Sequence, residues 1–400
     1  MAKVMFIVPP LTGHINPTVA VGESLLERGH EVWWVGHKST LVRSLPDTLH
    51  PRAHVWAMGE ECSADQLGAL HTGRDARGVA AFQFLWEGVL LPLAESSYQE
   101  VLEAIERIQP ELCVVDQQTL AGALACRVTG TPWLTSCTTS AGVVDALGAL
   151  PQASAWLQHR IEASLERLAL PELTTLTLNE LTLSAQGVMI FSSRQLSRAA
   201  HPEADFPDSY HFIGPALQVK RATISFPWGR LDPQKRKVFM SLGTVNAERG
   251  TRLYQVALDA FSDGAYQLCL VAPDELVPET LPAHVIRQPR VPQLELLPYM
   301  DAVITHAGHN TTCESLAHGL PLIALPIKDD QPIIAEQIKQ VGAGLRLPFA
   351  RVKSHQLRSA VDRLLTEGQF KTAAQAIQGE FKALGDGGAG GADLVERCLS

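Results

Sequence analysis

Short apolar runs alternate with helix-forming segments along this chain, and the alternation starts twice. In the first half, Val4 to Val8 and Glu31 to Val35 flank a segment that ends at Gly29, and the pattern returns at Leu112 to Val115 and Pro132 to Thr135. Strands that alternate with helices in this way predict an open parallel sheet covered by helices. The first half is therefore expected to form one α/β domain.

The first helix of this domain is expected to have Asn16 as its N-cap residue and Pro17 in its first turn. Asparagine is a good N-cap residue, and proline fits the first turn of a helix because its missing N–H is not needed there. The segment from Pro9 to Ile15 is then a loop between the first strand and the first helix.

The second half starts the same alternation at Val238 to Ser241, after a proline-containing stretch, Gly214 to Lys237, that has no clear periodicity. A chain of 400 residues with 46% hydrophobic residues is long enough for two cores, because single cores stop growing beyond roughly 250 to 300 residues. We expect an N-terminal domain over 1–217 and a C-terminal domain over 234–380. The segment 381–400 is expected to pack back on the N-terminal domain.

Two further segments stand out from the alternation. Ser140 to Gln186 is rich in helix formers and fits the rhythm of neither sheet, so we interpret it as an inserted helical region. Gly385 to Gly391 is the one compositionally simple stretch.

Charge and cysteine content exclude several classes of protein. The 33 basic and 42 acidic residues give a net charge of -9, which offers no footprint for a phosphate backbone, so nucleic acid is not an expected partner. The seven cysteines contain no C-x-x-C pair, which argues against a disulfide framework or a zinc site. The opening apolar run is too short for a signal peptide, and no uncharged apolar run reaches about 18 residues. A cytoplasmic protein without membrane insertion is expected.

The segment from Asp301 to Glu314 carries the clearest signal for a ligand site. An apolar strand ends at His306, turns through Gly308 and leads into a helix that is expected to begin at Asn310 or Thr311. Free N–H groups and the positive end of the helix dipole make such a turn a good site for a diphosphate. However, Thr311-x-x-Glu314 also has the pattern of a capping box. On the residues alone, Glu314 fits a helix cap as well as a ligand contact.

Three sequence blocks of the second half occur in the order and spacing seen in family 1 glycosyltransferases. These blocks are Arg290-Val-Pro-Gln293, His306 to Glu314, and Pro326-Ile-Lys-Asp-Asp-Gln331. The chain resembles the bacterial natural-product members of that family over nearly its whole length. Supporting matches are Gly13-His14, Arg28-Gly29-His30 and Phe212-Ile-Gly-Pro215.

The resemblance implies an α/β architecture called the GT-B fold, with two doubly wound parallel-sheet domains that face each other across a cleft. It implies that the N-terminal domain binds the acceptor and the C-terminal domain binds the nucleotide sugar. The residues implied to hold the nucleotide are Ser241, Gly243 and Thr244 over the phosphates, Arg290, Val291 and Gln293 at the base, His306, Gly308, Asn310 and Thr311 at the diphosphate, and Glu314 at the ribose. Asp330 and Gln331 are implied to bind the hydroxyls of the sugar.

The chain departs from the family pattern at three of these positions. Arg290 stands where many relatives place a tryptophan that stacks on uracil, although an arginine plane can also stack on a base. Ile334 stands where an asparagine often follows the Asp-Gln pair, and His309 stands where plant relatives have tryptophan. The choice between uracil and thymine and the identity of the sugar therefore stay open.

Transfer of a sugar to a hydroxyl group needs a base that accepts the proton of the acceptor, and histidine titrates in the right range. His14 follows the first strand, and Asp116 ends the strand Leu112 to Val115. The carboxyl ends of parallel strands share one edge, so both side chains are expected there. On the residues alone, His14 is more typical of an exposed or capping loop residue, and Asp116 of a helix cap. In related enzymes the matching histidine and aspartate form a catalytic dyad.

Four aromatic residues of the first half are candidates for the wall of an acceptor pocket, because such pockets are concave and mostly apolar. They are Phe82, Phe84, Trp86 and Trp156. The i, i+4 spacing of Phe82 and Trp86 is more often that of the core face of a helix, and we favour that interpretation.

Together these features predict an inverting, metal-independent glycosyltransferase. It is expected to transfer a hexose from a UDP-sugar donor to a hydroxyl of a small apolar natural product, and the expected hexose is glucose. No cofactor is expected, and no acidic cluster suits a divalent ion. The alternatives are a catalytically silent scaffold protein of the same fold, a TDP-deoxysugar transferase, a sugar-nucleotide epimerase and a lipid-linked sugar transferase. A Rossmann dehydrogenase is disfavoured because no G-x-G-x-x-G follows either leading strand.

Overall fold

The chain divides into two units, each with its own parallel sheet. The computed structural model describes residues 1–46, 49–59, 79–144, 150–217, 224–243 and 250–400. Unit 1 comprises Met1–Phe191, Ala204–Ala222 and Leu384–Ser400, and unit 2 comprises Ser192–Glu203 and Thr223–Ala383. Where we expected two continuous domains followed by a tail, unit 1 is therefore assembled from three separate segments.

Unit 1 is built on a seven-stranded sheet, called sheet 1, in which every pair of neighbouring strands is parallel. The strands are β1 (Lys3–Ile7), β2 (Glu31–His37), β3 (Ala53–Met58), β4 (Leu112–Asp116), β5 (Trp133–Cys137), β6 (Val188–Ile190) and β7 (Tyr210–Phe212). Their order across the sheet is β3-β2-β1-β4-β5-β6-β7. The order reverses direction at β1, so the carboxyl ends of β1 and β4 flank a switch point where ligands bind in open α/β sheets.

Helices cover both faces of this sheet. They are α1 (Thr12–Glu27), α2 (Lys38–Ser44), α3 (Val79–Leu85), α4 (Leu91–Ile108), α5 (Leu120–Thr129), α6 (Pro151–Arg167) and α7 (Leu178–Thr182). A π-helical turn, Trp86–Leu90, joins α3 to α4, and 3-10 turns occur at Ser140–Val143 and Pro171–Leu173.

The expected start of the first helix at Asn16 is wrong. Helix α1 begins at Thr12, so Pro17 lies inside the helix rather than in its first turn. Leu11 is the N-cap residue, and its carbonyl accepts hydrogen bonds from the backbone N–H groups of His14 and Ile15. Ile15 and Pro17 are buried, so packing of this segment on the sheet overrides the local capping signal.

Alternate residues of each strand of sheet 1 enter two different cores. Met5, Ile7, Val35, Cys113 and Val115 pack against α4, and we call this side the α4 face. Val4, Phe6, Trp34 and Val114 pack against α1 on the opposite side, which we call the α1 face. Because successive side chains of a strand point to opposite faces, the position of a residue along its strand fixes which core it enters.

Unit 2 contains a six-stranded sheet that is also fully parallel. Its strands are β8 (Lys237–Ser241), β9 (Gln267–Val271), β10 (Val285–Gln288), β11 (Ala302–Thr305), β12 (Leu322–Ala324) and β13 (Gly344–Arg346), in the order β10-β9-β8-β11-β12-β13. Its helices are α8 (Arg194–Arg198), α9 (Thr251–Ala260), α10 (Gln293–Leu296), α11 (His309–Ala317), α12 (Gln331–Gln340), α13 (Ser354–Thr366) and α14 (Gly368–Leu384). Among the described residues of this unit, 3-10 turns lie at Trp228–Arg230, Asp274–Leu276 and Leu297–Tyr299.

The last helix, α15 (Gly387–Leu399), returns to unit 1 and packs on α1. The glycine-rich stretch therefore forms the start of a helix. Asp386 caps the helix by accepting a hydrogen bond from the backbone N–H of Gly388 at 2.9 Å. A Cβ atom on Gly391 would lie 2.6 Å from Val21 Cγ2, so the glycine permits the close approach of the two helices.

None of the helices in the described parts of the chain is long and apolar enough to cross a membrane.

Candidate active site

His14 and Asp116 lie in contact at the carboxyl edge of sheet 1. The His14 Nδ1 and Asp116 Oδ2 atoms are 2.9 Å apart. Helix α1 presents His14 from its first turn, with 16% of the side chain exposed, whereas the side chain of Asp116 at the end of β4 is fully buried. The second oxygen of Asp116 accepts a hydrogen bond from the backbone N–H of Gln118 at 2.9 Å. The backbone thus fixes the carboxylate of Asp116, and part of the imidazole of His14 is accessible to solvent.

Thr138, directly after β5, completes this cluster. Its hydroxyl oxygen is 2.8 Å from His14 Nδ1 and 3.4 Å from Asp116 Oδ2. An ionised carboxylate only accepts hydrogen bonds, so the imidazole must carry its proton on Nδ1 to donate to Asp116. In the neutral ring Nε2 is then the acceptor atom. This arrangement has the form of a base with an orienting partner.

In unit 2, the imidazole of His306 lies between two glycine turns. A Cβ atom on Gly243 would approach the ring to 2.7 Å, and one on Gly308 would approach it to 2.6 Å. Gly243 also has a positive φ of 71°, which glycine adopts at no steric cost. The turns after β8 and β11 therefore close around one histidine ring.

His306 is a neutral side chain at physiological pH. Burial lowers the pKa of His306 from 6.5 to about 4, and a backbone hydrogen bond to Ser241 offsets only part of this effect. Its Nδ1 atom is buried and has no hydrogen-bond partner among the described residues. An unsatisfied buried nitrogen is costly, and it points to a ligand or function at this turn.

Helix α11 starts two residues before the expected capping box. Gly308 is its N-cap residue, and no side chain caps the helix. Thr311 therefore lies inside the first turn, and the interpretation of Thr311 and Glu314 as a capping box is wrong. The helix starts early because His309 is itself buried in the core.

Glu314 instead pairs with Gln293, the first residue of α10. The buried carboxylate accepts a hydrogen bond from Gln293 Nε2 at 2.6 Å, and the same nitrogen is 3.4 Å from the hydroxyl of Thr311. The structure thus brings together three of the residues assigned to the nucleotide. Val291 is half-buried beside them, and Arg290 is exposed.

The remaining residues assigned to the nucleotide lie at the carboxyl edge of the six-stranded sheet of unit 2. Ser241 ends β8, and its hydroxyl accepts a hydrogen bond from the backbone N–H of Gly243 at 3.3 Å. Asn310 is half-buried in the first turn of α11. Thr244 lies outside the described residues.

Asp330 and Gln331 lie at the start of α12, with Asp330 as the N-cap residue. Gln331 is buried, and its Oε1 atom accepts hydrogen bonds from the backbone N–H groups of Ile327 at 2.8 Å and Lys328 at 3.2 Å. The acceptor capacity of this amide is thus used within the loop, and only its Nε2 group is suited to donate to a ligand. Ile334 is buried in the core of unit 2.

The sequence and the fold of this chain are similar to those of known glycosyltransferases. The family model of the erythromycin biosynthesis protein CIII-like C-terminal domain matches residues 270–385. The NDP-glycosyltransferase YjiC of Bacillus subtilis (strain 168) is 27% identical and the match covers 94% of this chain and 92% of the relative. The solved glycotransferase of kitacinnamycin superposes with a TM-score of 0.78 at 22% identity, covering 100% of this chain and 99% of the other.

These comparisons support a family 1 glycosyltransferase of the GT-B fold, bacterial natural-product type. The chain is an enzyme that transfers a sugar. The solved glycosyltransferase VinC, in complex with dTDP, has the same fold, with a TM-score of 0.72 at 20% identity over 99% of both chains.

Thr138 is the residue of this glycosyltransferase site that sequence reasoning missed. Strand β5 pairs with β4 in parallel, with Asp116 opposite Ser136. The residues after β5 therefore lie at the same edge as His14 and Asp116. Applying the strand-end argument to the third strand, as well as to the first two, would have found Thr138.

Proposed function

We propose that this chain is an inverting, metal-independent glycosyltransferase that moves glucose from UDP to a hydroxyl of a small, apolar natural product. The contact between His14 and Asp116 at 2.9 Å is the observation that carries the proposal. Unit 1 supplies the base and binds the acceptor, and unit 2 binds the sugar nucleotide. A reducing, cytoplasmic setting suits the six cysteines that the structure describes as free thiols.

In the proposed reaction, His14 Nε2 accepts the proton of the acceptor hydroxyl. The acceptor oxygen forms a bond to the anomeric carbon of the sugar, and the bond from that carbon to the diphosphate oxygen breaks. Attack from the side opposite the leaving group inverts the configuration. Asp116 stabilises the imidazolium ion that forms, in the way the carboxylate of a triad does.

Unit 2 is proposed to stabilise the departing diphosphate without a metal. The start of α11 offers backbone N–H groups and the positive end of the helix dipole. Since burial keeps His306 neutral, the histidine adds no positive charge to this site. Within the described residues, no three His, Cys, Asp or Glu side chains are grouped so as to hold a metal ion.

A TDP-deoxysugar donor is the second candidate, and one observation favours it. Gln331 Oε1 is already used by two backbone N–H groups, so this amide has less capacity for sugar hydroxyls than the family pattern implies. VinC was solved with dTDP. Glucose is still favoured here because Asp330 at the start of α12 provides a carboxylate for hydroxyl groups.

A panel of nucleotides and sugar nucleotides tests the donor. UDP, TDP, GDP and ADP are compared by calorimetry, and transfer from UDP-glucose is compared with transfer from TDP-deoxysugars. Tighter binding of UDP or TDP than of GDP or ADP is expected, with faster turnover of UDP-glucose. Preference for a purine nucleotide would refute the nucleotide assignment. Faster turnover of a TDP-deoxysugar would replace glucose by the second candidate.

Mutation of the dyad tests the chemical step. His14→Ala is expected to lower kcat by on the order of 10² to 10⁴ fold and to leave nucleotide binding nearly unchanged, because general base catalysis typically contributes that much. Asp116→Asn is also expected to be slow. Since both losses arise from one function, the double variant should be far less impaired than the product of the single effects.

The controls for this experiment are the acceptor and the metal. An acceptor whose nucleophile is already ionised should partly rescue His14→Ala, whereas a chelator should leave the rate of the parent enzyme unchanged. If folded His14→Ala glycosylates a neutral alcohol at the parent rate, the mechanism is wrong. If the parent enzyme transfers no sugar to any acceptor, a silent scaffold protein becomes the better interpretation.

A further inference from the structure

His37 is a buried histidine whose two ring nitrogens both lack a hydrogen-bond partner among the described residues. It ends β2 and is the N-cap residue of α2, but its side chain does not cap that helix. Burial lowers its pKa, although the charge of Glu100 opposes the effect. The ring is therefore a neutral group with one donor and one acceptor. Such an unsatisfied group destabilises the fold unless something else uses it.

Gln117 repeats this situation two strands away. It follows β4, and its Oε1 atom is buried without a partner among the described residues. The 3-10 turn beside it contains Gly142, where a Cβ atom would lie 2.1 Å from that oxygen. The glycine thus makes room for the amide and offers it no hydrogen bond.

Both side chains belong to the α4 face at the carboxyl edge of sheet 1. Val35 and Val115 precede them by two residues and pack in the α4 face core, so the alternation of side chains places His37 and Gln117 on that face. Strand β1 lies between β2 and β4. Two strand spacings separate their backbones by roughly 10 Å.

An apolar cluster lies at the same edge. Helix α4 ends at the amino edge of the sheet, where the Ile108 carbonyl accepts a hydrogen bond from Lys3 Nζ at 3.2 Å. The start of α4 and the π-helical turn before it are therefore at the carboxyl edge. Phe82 is 6.5 Å from Trp86 and 6.4 Å from Trp156, measured between ring centroids. All three rings are half-buried against the α4 face core.

We propose that His37 and Gln117 form the polar end of the acceptor site and bind a second hydroxyl or carbonyl group of the acceptor, remote from the hydroxyl that His14 activates. This inference rests on the proposed function, in which unit 1 binds the acceptor. Asp116 and Gln117 are adjacent at the end of β4, so their side chains leave opposite faces of the sheet at the same carboxyl edge, and an acceptor that contacts both sites lies across that edge. An acceptor that reaches from His14 to His37 spans roughly two strand spacings, about 10 Å, or two to three rings.

Galangin and kaempferol provide a matched pair of probes, because they differ only by one hydroxyl at the far end of the molecule. Their dissociation constants are measured by quenching of tryptophan fluorescence, which does not require turnover. The parent enzyme is expected to bind kaempferol at least about tenfold more tightly than galangin, the effect of one buried hydrogen bond. His37→Phe and His37→Leu are expected to bind both probes equally.

His54→Phe is the matched control. His54 lies on the neighbouring strand β3 and stacks on Trp33 at 4.5 Å, but it is far more exposed than His37. This variant should keep the preference for kaempferol. A second readout is stability: the two His37 variants should unfold at the same or a higher urea concentration than the parent, because they remove unsatisfied nitrogens.

Three results would overturn the inference. They are a parent enzyme that does not distinguish the two probes, His37 variants that still distinguish them, and His37 variants that lose the preference together with stability. The last would show a structural histidine. Failure of the proposed function is detected separately, as sugar transfer that does not depend on His14.

Discussion

His14 and His306 are both histidines in the candidate sites, but their surroundings give them different chemistry. His14 is partly exposed and contacts a buried carboxylate, so it suits proton transfer. His306 is held between two glycine turns and is kept neutral by burial, so it suits a hydrogen bond to a ligand. The strand-end argument predicted the positions of both residues. It could not predict their protonation, because burial and partners depend on packing from distant segments.

The contact between Glu314 and Gln293 leads to a test of the ribose assignment. In the parent enzyme, UDP should bind at least about tenfold more tightly than its dideoxyribose analogue, because a buried carboxylate loses its hydroxyl partners in the analogue. Glu314→Ala should weaken UDP binding and abolish the difference between the two ligands. Calorimetry measures both constants.

This comparison separates the ribose role from an indirect effect of folding. Removal of Glu314 also leaves Gln293 Nε2 without its partner at 2.6 Å, so some loss of stability is expected in any case. If Glu314→Ala binds UDP more weakly but still distinguishes the two ligands, the carboxylate does not contact the ribose.

The low pKa of His306 predicts a pH dependence of stability. Its pKa of about 4 in the folded state is below the usual 6.5, so between these values the unfolded chain binds a proton that the folded chain excludes. The free energy of unfolding should therefore fall as the pH drops from 6.5 toward 4. The loss from this residue alone is on the order of 3 kcal/mol.

Urea unfolding at neutral and acidic pH measures this effect. His306→Gln should be less sensitive to acid than the parent over that range. His355→Gln, at an exposed position on α13, controls for the loss of a histidine. An unchanged pH dependence in His306→Gln would contradict the assignment of a buried, neutral ring.

At the scale of helices and strands, the sequence predicted the elements better than their ends. The apolar runs at Val4 to Val8 and Leu112 to Val115 correspond to β1 and β4, because buried parallel strands are apolar throughout. Helices α1 and α11 both start earlier than expected. Their capping signals are local, whereas burial of Ile15 and His309 depends on the rest of the unit. Helix α15 was missed because glycine disfavours helices in isolation.

The packing of α15 on α1 predicts opposite effects for two glycine substitutions. Gly391→Ala should lower the free energy of unfolding by about 1 to 3 kcal/mol, because the new Cβ would lie 2.6 Å from Val21 Cγ2 and 3.1 Å from Met189 Sδ. Gly379→Ala is the matched control in α14, where a Cβ atom meets nothing within 4 Å. It should raise stability by about 0.5 to 1 kcal/mol. Urea denaturation of both variants tests this, and two stabilising substitutions would contradict the close packing.

At the scale of the whole molecule, the chain order does not match the spatial units. The chain leaves unit 1 after β6 to place α8 in unit 2, returns for β7, and returns again for α15. Sequence reasoning set a boundary near the proline-rich stretch because composition changes there. It could not place α8, because Leu196 belongs to the unit 2 core only through contacts with residues far along the chain.

This organisation predicts that unit 1 cannot fold without the end of the chain. A chain that stops at Gly385 lacks Ala392, Leu394 and Val395, all buried in the α1 face core. Each fully buried leucine or valine contributes about 1.5 to 3 kcal/mol, and the close helix contact adds to this. The sum approaches the total stability of a typical domain, about 5 to 15 kcal/mol.

The truncated chain should therefore lose the urea transition of unit 1 and all sugar transfer. Arg28→Ala is the control, because it removes the ion pairs of α1 with Asp393 and Glu396 and a 3.4 Å hydrogen bond to the Ala389 carbonyl, and such surface contacts contribute little. A synthetic peptide covering residues 384–400 should restore part of the transfer activity when added to the truncated chain. A truncated chain that unfolds at the same urea concentration as the parent would show that α15 is dispensable and that unit 1 is complete without it.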